Sequence, residues 1–184
     1  MVYPLVNMGI MGTDYPVCVT ALSGYSGAGK KAIALYESED KTVDLFAPRE
    51  YGVAQQHKHL KEMKAISKLE REPLFTPVVD DYYSGMIVSL PIYTHLLNEK
   101  VTPEELQKKF ASYYEGEQFI KVMPFGSEAE TNGFFAANVM SGRDDARIYI
   151  TGNDDRILVS AIFDNLGKGA SGAAVQCMNI VLGC

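Results

Sequence analysis

Long basic runs, paired cysteines, a membrane-length apolar stretch and a dinucleotide-binding glycine fingerprint are all missing from this sequence. Lysine and arginine number 17 against 23 acidic residues, never cluster beyond a few positions, and leave a net charge of −6. That pattern offers no footprint for a phosphate backbone, which argues against nucleic acid as a partner. The three cysteines, Cys18, Cys177 and Cys184, show no C-x-x-C spacing, and an odd count suits no closed disulfide set. A reducing, cytoplasmic setting is the simplest expectation. The apolar start, MVYPLVNMGIMG, has no positive segment and is interrupted by Pro4, Asn7 and Gly9, so it is neither a signal peptide nor a membrane span. It reads as a helix interior cut from something longer.

What is present suits one domain. At 184 residues the chain can bury a sizeable core but is short for two ordinary domains, and 47% apolar residues fit a soluble globule. The run YPVCVTAL reads as a strand entering a glycine loop. In HLKEMKAISKL, Met63, Ile66 and Leu69 recur at roughly helical spacing, and Pro73 is expected to end that helix. Two strands flank Asp80–Gly85, with Pro77 and Pro91 expected near strand ends or edges. The segment VTPEELQKKFASYY opens with the strongest local signal: Thr102 to cap, Pro103 at the first helical position and Glu105 to complete a capping box. Leu106, Phe110 and Tyr113 then share a face. A hairpin turns through Gly152–Asp155, and a glycine-rich segment feeds a last helix whose buried stripe is expected at Ala174, Met178 and Val181 or Leu182. The sum is an α+β fold, with helices on one face of a mixed or mostly antiparallel sheet.

The loop Gly24-Tyr-Ser-Gly-Ala-Gly29-Lys30 has the spacing of a nucleotide-hydrolase phosphate loop, G-x-x-x-x-G-K. That chemistry also needs a Ser or Thr next for magnesium, and a later apolar strand ending in Asp. Here the next residue is Lys31, and MIVSLP ends in Pro91. The hydrolase reading fails on both counts. Taken alone, the loop is a strand-to-helix turn in which glycine relieves tight geometry.

The loop has company. SGYSGAGKKA, QQHKHLKEM and DNLGKGASGAAVQCMNIVLG follow one another, and together they resemble the N-acetyl-γ-glutamyl-phosphate reductases of arginine biosynthesis. The resemblance implies a two-domain enzyme: a dinucleotide-binding half holding NADP, and a half similar to the catalytic domain of glyceraldehyde-3-phosphate dehydrogenase. The second half supplies the substrate pocket and the contact of a homodimer or higher oligomer. N-acetyl-glutamyl phosphate is reduced to the semialdehyde through a cysteine thioester, with hydride from NADPH and release of phosphate. On this resemblance, residues 1–184 form a single substrate-binding and dimerisation domain, and the helix at about 169–183 packs on the dinucleotide half. Two family features are absent: G-x-G-x-x-G with its ribose reader about 20 residues on, and the nucleophile's glycine-cysteine-tyrosine context. The chain is therefore expected to be the second half, cut just past its nucleophile and inactive alone. A free-standing dimerisation or ligand-binding module on the same fold is the alternative.

The resemblance makes His59 the acid–base residue, a role a neutral imidazole near pH 7 can fill. Glu62, one helical turn on, can meet or orient substrate. His57 is a substrate-side candidate. On a continuing helix it lies about 200° round from His59; in an extended segment the two share a face, yet too few further ligands exist for a metal, and none is expected. Ser23 and Gly24 are expected to meet substrate, and Ser26, Gly27, Gln176 and Asn179 the cofactor, small residues letting backbone amides approach an anion. Lys61 and Cys177 stand where the family more often has proline and asparagine. Arg49 can pair with a carboxylate or equally be a surface arginine. Lys168, near the helix start, is expected to be structural or solvent-facing rather than catalytic. None of the three cysteines has the cationic neighbour or helix N-terminus that activates a thiol.

Overall fold

In the computed structural model, which describes residues 1–183, the chain runs α1 (Val2–Asn7), β1 (Cys18–Gly24), α2 (Lys30–Tyr36), β2 (Arg49–Glu50), α3 (His59–Ser67), β3 (Leu74–Asp80) and β4 (Met86–Tyr93). It continues through α4 (Pro103–Tyr113), β5 (Ile120–Val122), the hairpin β6 (Ala146–Gly152) and β7 (Arg156–Phe163), and α5 (Gly172–Leu182). The strands form one mixed sheet in the order β2-β3-β1-β4-β7-β6-β5, with β1 parallel to β3, β5 parallel to β6 and the remaining neighbours antiparallel. The expected α+β architecture is present.

Alternation along the strands assigns the two faces. Val19, Ala21, Phe75, Leu90, Ile92, Ile148, Ile150, Ile157 and Val159 point one way and bury themselves against Leu5 of α1, Leu60 of α3, and Leu106 and Phe110 of α4. Those three helices cover one face, as expected of the class. The opposite face is covered at one end by the excursion after β5, where Met140 and Phe135 pack on Tyr149 and Ile162. At the other end Thr20, Leu74, Pro91 and Tyr93 are left exposed.

Local chemistry explains most elements. Thr102 Oγ1 accepts from the Glu105 amide at 3.2 Å, and the Glu105 carboxylate accepts from the Thr102 amide at 2.8 Å, completing the capping box. Asn153 Oδ1 accepts the amides of Asp155 and Arg156 and closes the hairpin turn. The prolines sit deeper in their strands than expected. Pro77 is mid-strand, but its carbonyl accepts the Tyr51 amide, so its missing donor faces the two-residue strand β2. Pro91 lies in β4 beyond Ser89, the last residue of that strand paired with β1, and so interrupts no ladder on that side.

Two helices depart from expectation. Ile66 of α3 is 69% exposed, and the helix is anchored by Leu60 and Met63 instead. It ends at Lys68, whose left-handed backbone (φ 58°) turns the chain, before Pro73 can act. Helix α5 buries no side chain: Met178, Val181 and Leu182, expected inside, are 52%, 85% and 66% exposed, and Ala174 is exposed too. Its apolar stripe exists but meets nothing within the described residues. Cys184 lies outside them.

Candidate active site

The histidine segment follows a sharp turn in which Gly52 adopts φ 62°, a left-handed backbone that favours glycine, with the His57 ring packed beside it. His57 lies two residues before α3 starts, half-buried against Phe75 (ring centroids 5.2 Å) and Tyr51 (5.8 Å). The segment is neither a continuing helix nor an extended strand, so the angular separation expected of the histidines does not hold. The imidazoles of His57 and His59 meet edge to face at 4.7 Å. The His59 amide donates to His57 Nδ1 at 3.2 Å, which marks that nitrogen as unprotonated. Burial first, then the fields of His59 and Lys58, hold His57 below the usual imidazole range, with Glu62 opposing. His59 is exposed, and Glu62 is in the same first turn of α3, where a carboxylate is favoured by the helix dipole.

The glycine turn is built differently from an anion cradle. The amides of Gly24, Tyr25 and Ser26 donate to the carbonyls of Gly85, Tyr82 and Tyr83 at 2.9–3.0 Å. A Cβ on Gly24 would lie 2.6–2.7 Å from the Tyr82 and Tyr83 oxygens, so this glycine is required by close backbone approach. Those three amides hold the β3–β4 connection and are not free for an anion. Ser23 Oγ is half-buried and donates to the Gly24 carbonyl at 3.1 Å. Ser26 is buried, and its hydroxyl accepts from Asn165 Nδ2 at 3.0 Å, while Asn165 Oδ1 accepts the Gly85 amide at 2.8 Å. Gly27 is exposed beside the same Asn165 amide group.

Register relates the two clusters. Ser23 is opposite Val79, and Val79 opposite Arg49, so β3 alone separates Ser23 from β2. Ser23 and Val79 lie two residues beyond the buried pair Ala21 and Pro77 and therefore share their face. His57, resting on Phe75, is on that face as well. Gln176 and Asn179 are elsewhere: with Phe119, Asp144, Gly172 and Val175 they line a cavity of about 210 Å³ against α5. Gln176 Oε1 accepts from Lys168, whose ammonium also lies over the Phe119 ring. Thus Ser23 and His57 share a sheet face without touching, Val79 and Phe75, the β3 residues beside them, being four positions apart, and the four proposed cofactor residues divide between the glycine turn and the α5 cavity.

Ser26 Oγ already accepts from Asn165 and Gln176 Oε1 from Lys168, and the cavity beside Gln176 and Asn179 has a carboxylate wall at Asp144, which suits no pyrophosphate. The residues present do not assemble a dinucleotide site. Among the described residues no group of three or more His, Cys, Asp and Glu side chains is placed to hold a metal. Cys18 begins β1 on the face away from His57, its thiol on the Pro16 carbonyl at 3.8 Å, and Cys177 is exposed on α5.

Sequence reasoning missed Tyr51 and Asn165. Both lie in segments it had singled out, but a tyrosine beside a glycine and an asparagine after an aspartate carry no local signature of what they touch. Buried Asp164 went unremarked too; its Oδ2 accepts the Gly142 and Gly167 amides, each at 3.1 Å, and so fixes the approach to α5.

A family model described as "Semialdehyde dehydrogenase, dimerisation domain" matches residues 1–165. An N-acetyl-gamma-glutamyl-phosphate reductase 2 from Nostoc sp. is 40% identical over 190 aligned residues, covering 99% of this chain and 59% of that protein. An N-acetyl-gamma-glutamyl-phosphate reductase from Burkholderia cenocepacia is 37% identical over 182 residues, covering 98% and 58%. The chain thus spans less than three fifths of the length of these curated relatives. Among solved structures, aspartate semialdehyde dehydrogenase II from Vibrio cholerae superposes with a TM-score of 0.70 at 17% identity, covering 97% of this chain and 57% of that one. At that identity the likeness speaks for the fold alone. Among the described residues, no helix is long and apolar enough to cross a membrane.

Proposed function

The chain belongs to the semialdehyde dehydrogenase dimerisation-domain family, and from that premise we propose that it is the substrate-binding and dimerisation part of an N-acetyl-γ-glutamyl-phosphate reductase. The observation that carries the proposal is identity of 37–40% to proteins of that name over 98–99% of the chain. The whole enzyme reduces an acyl phosphate to an aldehyde in the cytoplasm. The thiol that forms the thioester and the site for NADP come from polypeptide outside these 184 residues; when bound, the coenzyme supplies the hydride.

This chain's own part is proton handling and substrate placement. Exposed His59 takes the proton of an approaching thiol and later returns one to the substrate oxygen. His57, kept neutral by its half-buried setting, accepts the His59 amide and fixes the start of α3. Glu62 and Ser23 flank the substrate path, and Ser26 and Gly27 sit where Asn165 braces the glycine turn. Gln176 and Asn179 belong to the helix that carries an apolar stripe outward, which suits packing on the coenzyme half. The exposed end of the sheet, with Leu74 and Tyr93, is the surface for a second copy.

The test is a fusion of this chain to the part of the Nostoc relative that lies outside the match. The expected outcome is phosphate-dependent reduction of NADP with N-acetylglutamate semialdehyde, lowered on the order of 100-fold or more by His59→Asn. A folded, dimeric fusion without turnover, beside an active Nostoc enzyme, overturns the proposal and returns the chain to a binding or dimerisation module.

A further inference from the structure

We infer that one flank of α3, carrying Lys61, Lys64 and Lys68, is a docking surface for an acidic segment of another polypeptide. The inference is independent of the function proposed above.

Helix phase separates this flank from the acid–base residue. Leu60, Met63 and Ser67, the first buried and the others half-buried, form the inward row of α3. His59, Glu62 and Ile66 each come one position earlier, which turns them about 100° to one side. Lys61, Lys64 and Lys68 each come one position later, about 100° to the other side. The lysines thus lie across the helix from His59 and do not share its surroundings. Lys68, which caps the helix, holds its ammonium 5.5 Å from the ring centre of Tyr3 in α1, so α1 borders the flank. Tyr3 is exposed and offers an aromatic edge at that end. Lys61 stands where the family more often has proline, and it completes the row.

Nothing among the described residues answers these charges. All three lysines are exposed, as is Lys58 just before the helix. The ion pairs engage Lys41, Arg49, Lys108, Lys109 and Arg143, and none of these four. The nearby acids are turned elsewhere: Glu62 is in the His59 row, and Glu70 accepts the Thr13 hydroxyl at 2.9 Å. Like charges three and four residues apart weaken a helix, and the helix dipole disfavours Lys58 and Lys61 beside its first turn. A chain with 23 acidic residues and a net charge of −6 has carboxylates enough to intersperse, yet this row has none. An unpaired row of one sign on a molecule of the other fits a partner of complementary charge.

The chemistry selects an acidic polypeptide over a small anion. A phosphate site is ordinarily built from helix N-terminal amides or an arginine fork, and mid-helix lysines supply neither. Each exposed ammonium contributes little alone, so useful attraction needs several carboxylates at matching spacing. Lys61 to Lys68 spans about 10 Å along the axis, the spacing of carboxylates at i, i+3 and i+7 of a second helix.

The probe is a fluorescein-labelled helical peptide with glutamates at i, i+3 and i+7 and a leucine at one end. It is titrated with the intact chain by anisotropy. Binding is expected, weakening on the order of tenfold between about 20 and about 200 mM salt, with the α3 amides shifted in NMR. Lys61→Gln, Lys64→Gln and Lys68→Gln together are expected to weaken it on the order of tenfold, glutamine preserving the helix. Lys108→Gln, Lys109→Gln and Lys121→Gln remove the same charge elsewhere and are expected to leave binding unchanged. Equal weakening in both sets means attraction to charge in general and overturns the inference. So does an absence of binding at the lower salt. Displacement of the peptide by an equal concentration of tripolyphosphate makes the row a small-anion site and overturns it too.

Discussion

At the level of single residues, the glycine turn shows how one position can be legible in type yet not in purpose. A run of small residues announced a tight turn, but what requires Gly24 is its approach to the Tyr82 and Tyr83 carbonyls, at φ −65° that any residue could adopt. Gly24→Ala is therefore expected to destabilise by about 1–3 kcal/mol through overpacking, read as a lower urea midpoint at unchanged slope. The histidines were legible as candidates through the resemblance carried by QQHKHLKEM; their contact was not, because it depends on a turn placing residue 57 outside the helix. His57 titrates below its ordinary value of 6.5. As the pH falls, the unfolded chain takes up that proton first, so stability is lost on acidification below about 6.5. His57→Gln is expected to flatten this slope, and NMR of the wild-type ring to give a midpoint below 6.5.

At the level of elements, α4 and α5 behave oppositely for a physical reason. Helix α4 carries its own start signal and an inward face, Leu106 and Phe110, both at 0% exposure. Thr102→Ala is expected to cost about 1 kcal/mol through the lost cap, and Phe110→Ala about 3–5 kcal/mol through the cavity left behind, both measurable by denaturant unfolding. Helix α5 has an equally readable stripe, but periodicity reports only that a face is apolar, not what covers it. With no side chain buried, its amides are expected to exchange with solvent far faster than those of α4. Equal protection of the two helices by hydrogen exchange would mean that α5 has a partner within the chain's own assembly.

At the level of the whole molecule, α1, α3 and α4 cover most of one face of the sheet, and the other is covered only in part. The exposed end, with Leu74 61% and Tyr93 56% accessible, is expected to meet a second copy. Sedimentation of the chain should give a dimer, and Leu74→Glu with Tyr93→Glu a folded monomer, since two charges would have to be desolvated in the interface. Caps, turns and strand alternation are local and motif blocks are linear, so the α+β class, the capped helix, the hairpin and the family were all readable from the order of residues. That the glycine-turn amides serve the β3–β4 connection, that Arg49 stands in register with Ser23, and that Gln176 and Asn179 lie apart from Ser26 emerges only once the chain is folded. Those relations are set by strand order and by backbone hydrogen bonds between segments distant in the chain, and no local pattern of side chains encodes them.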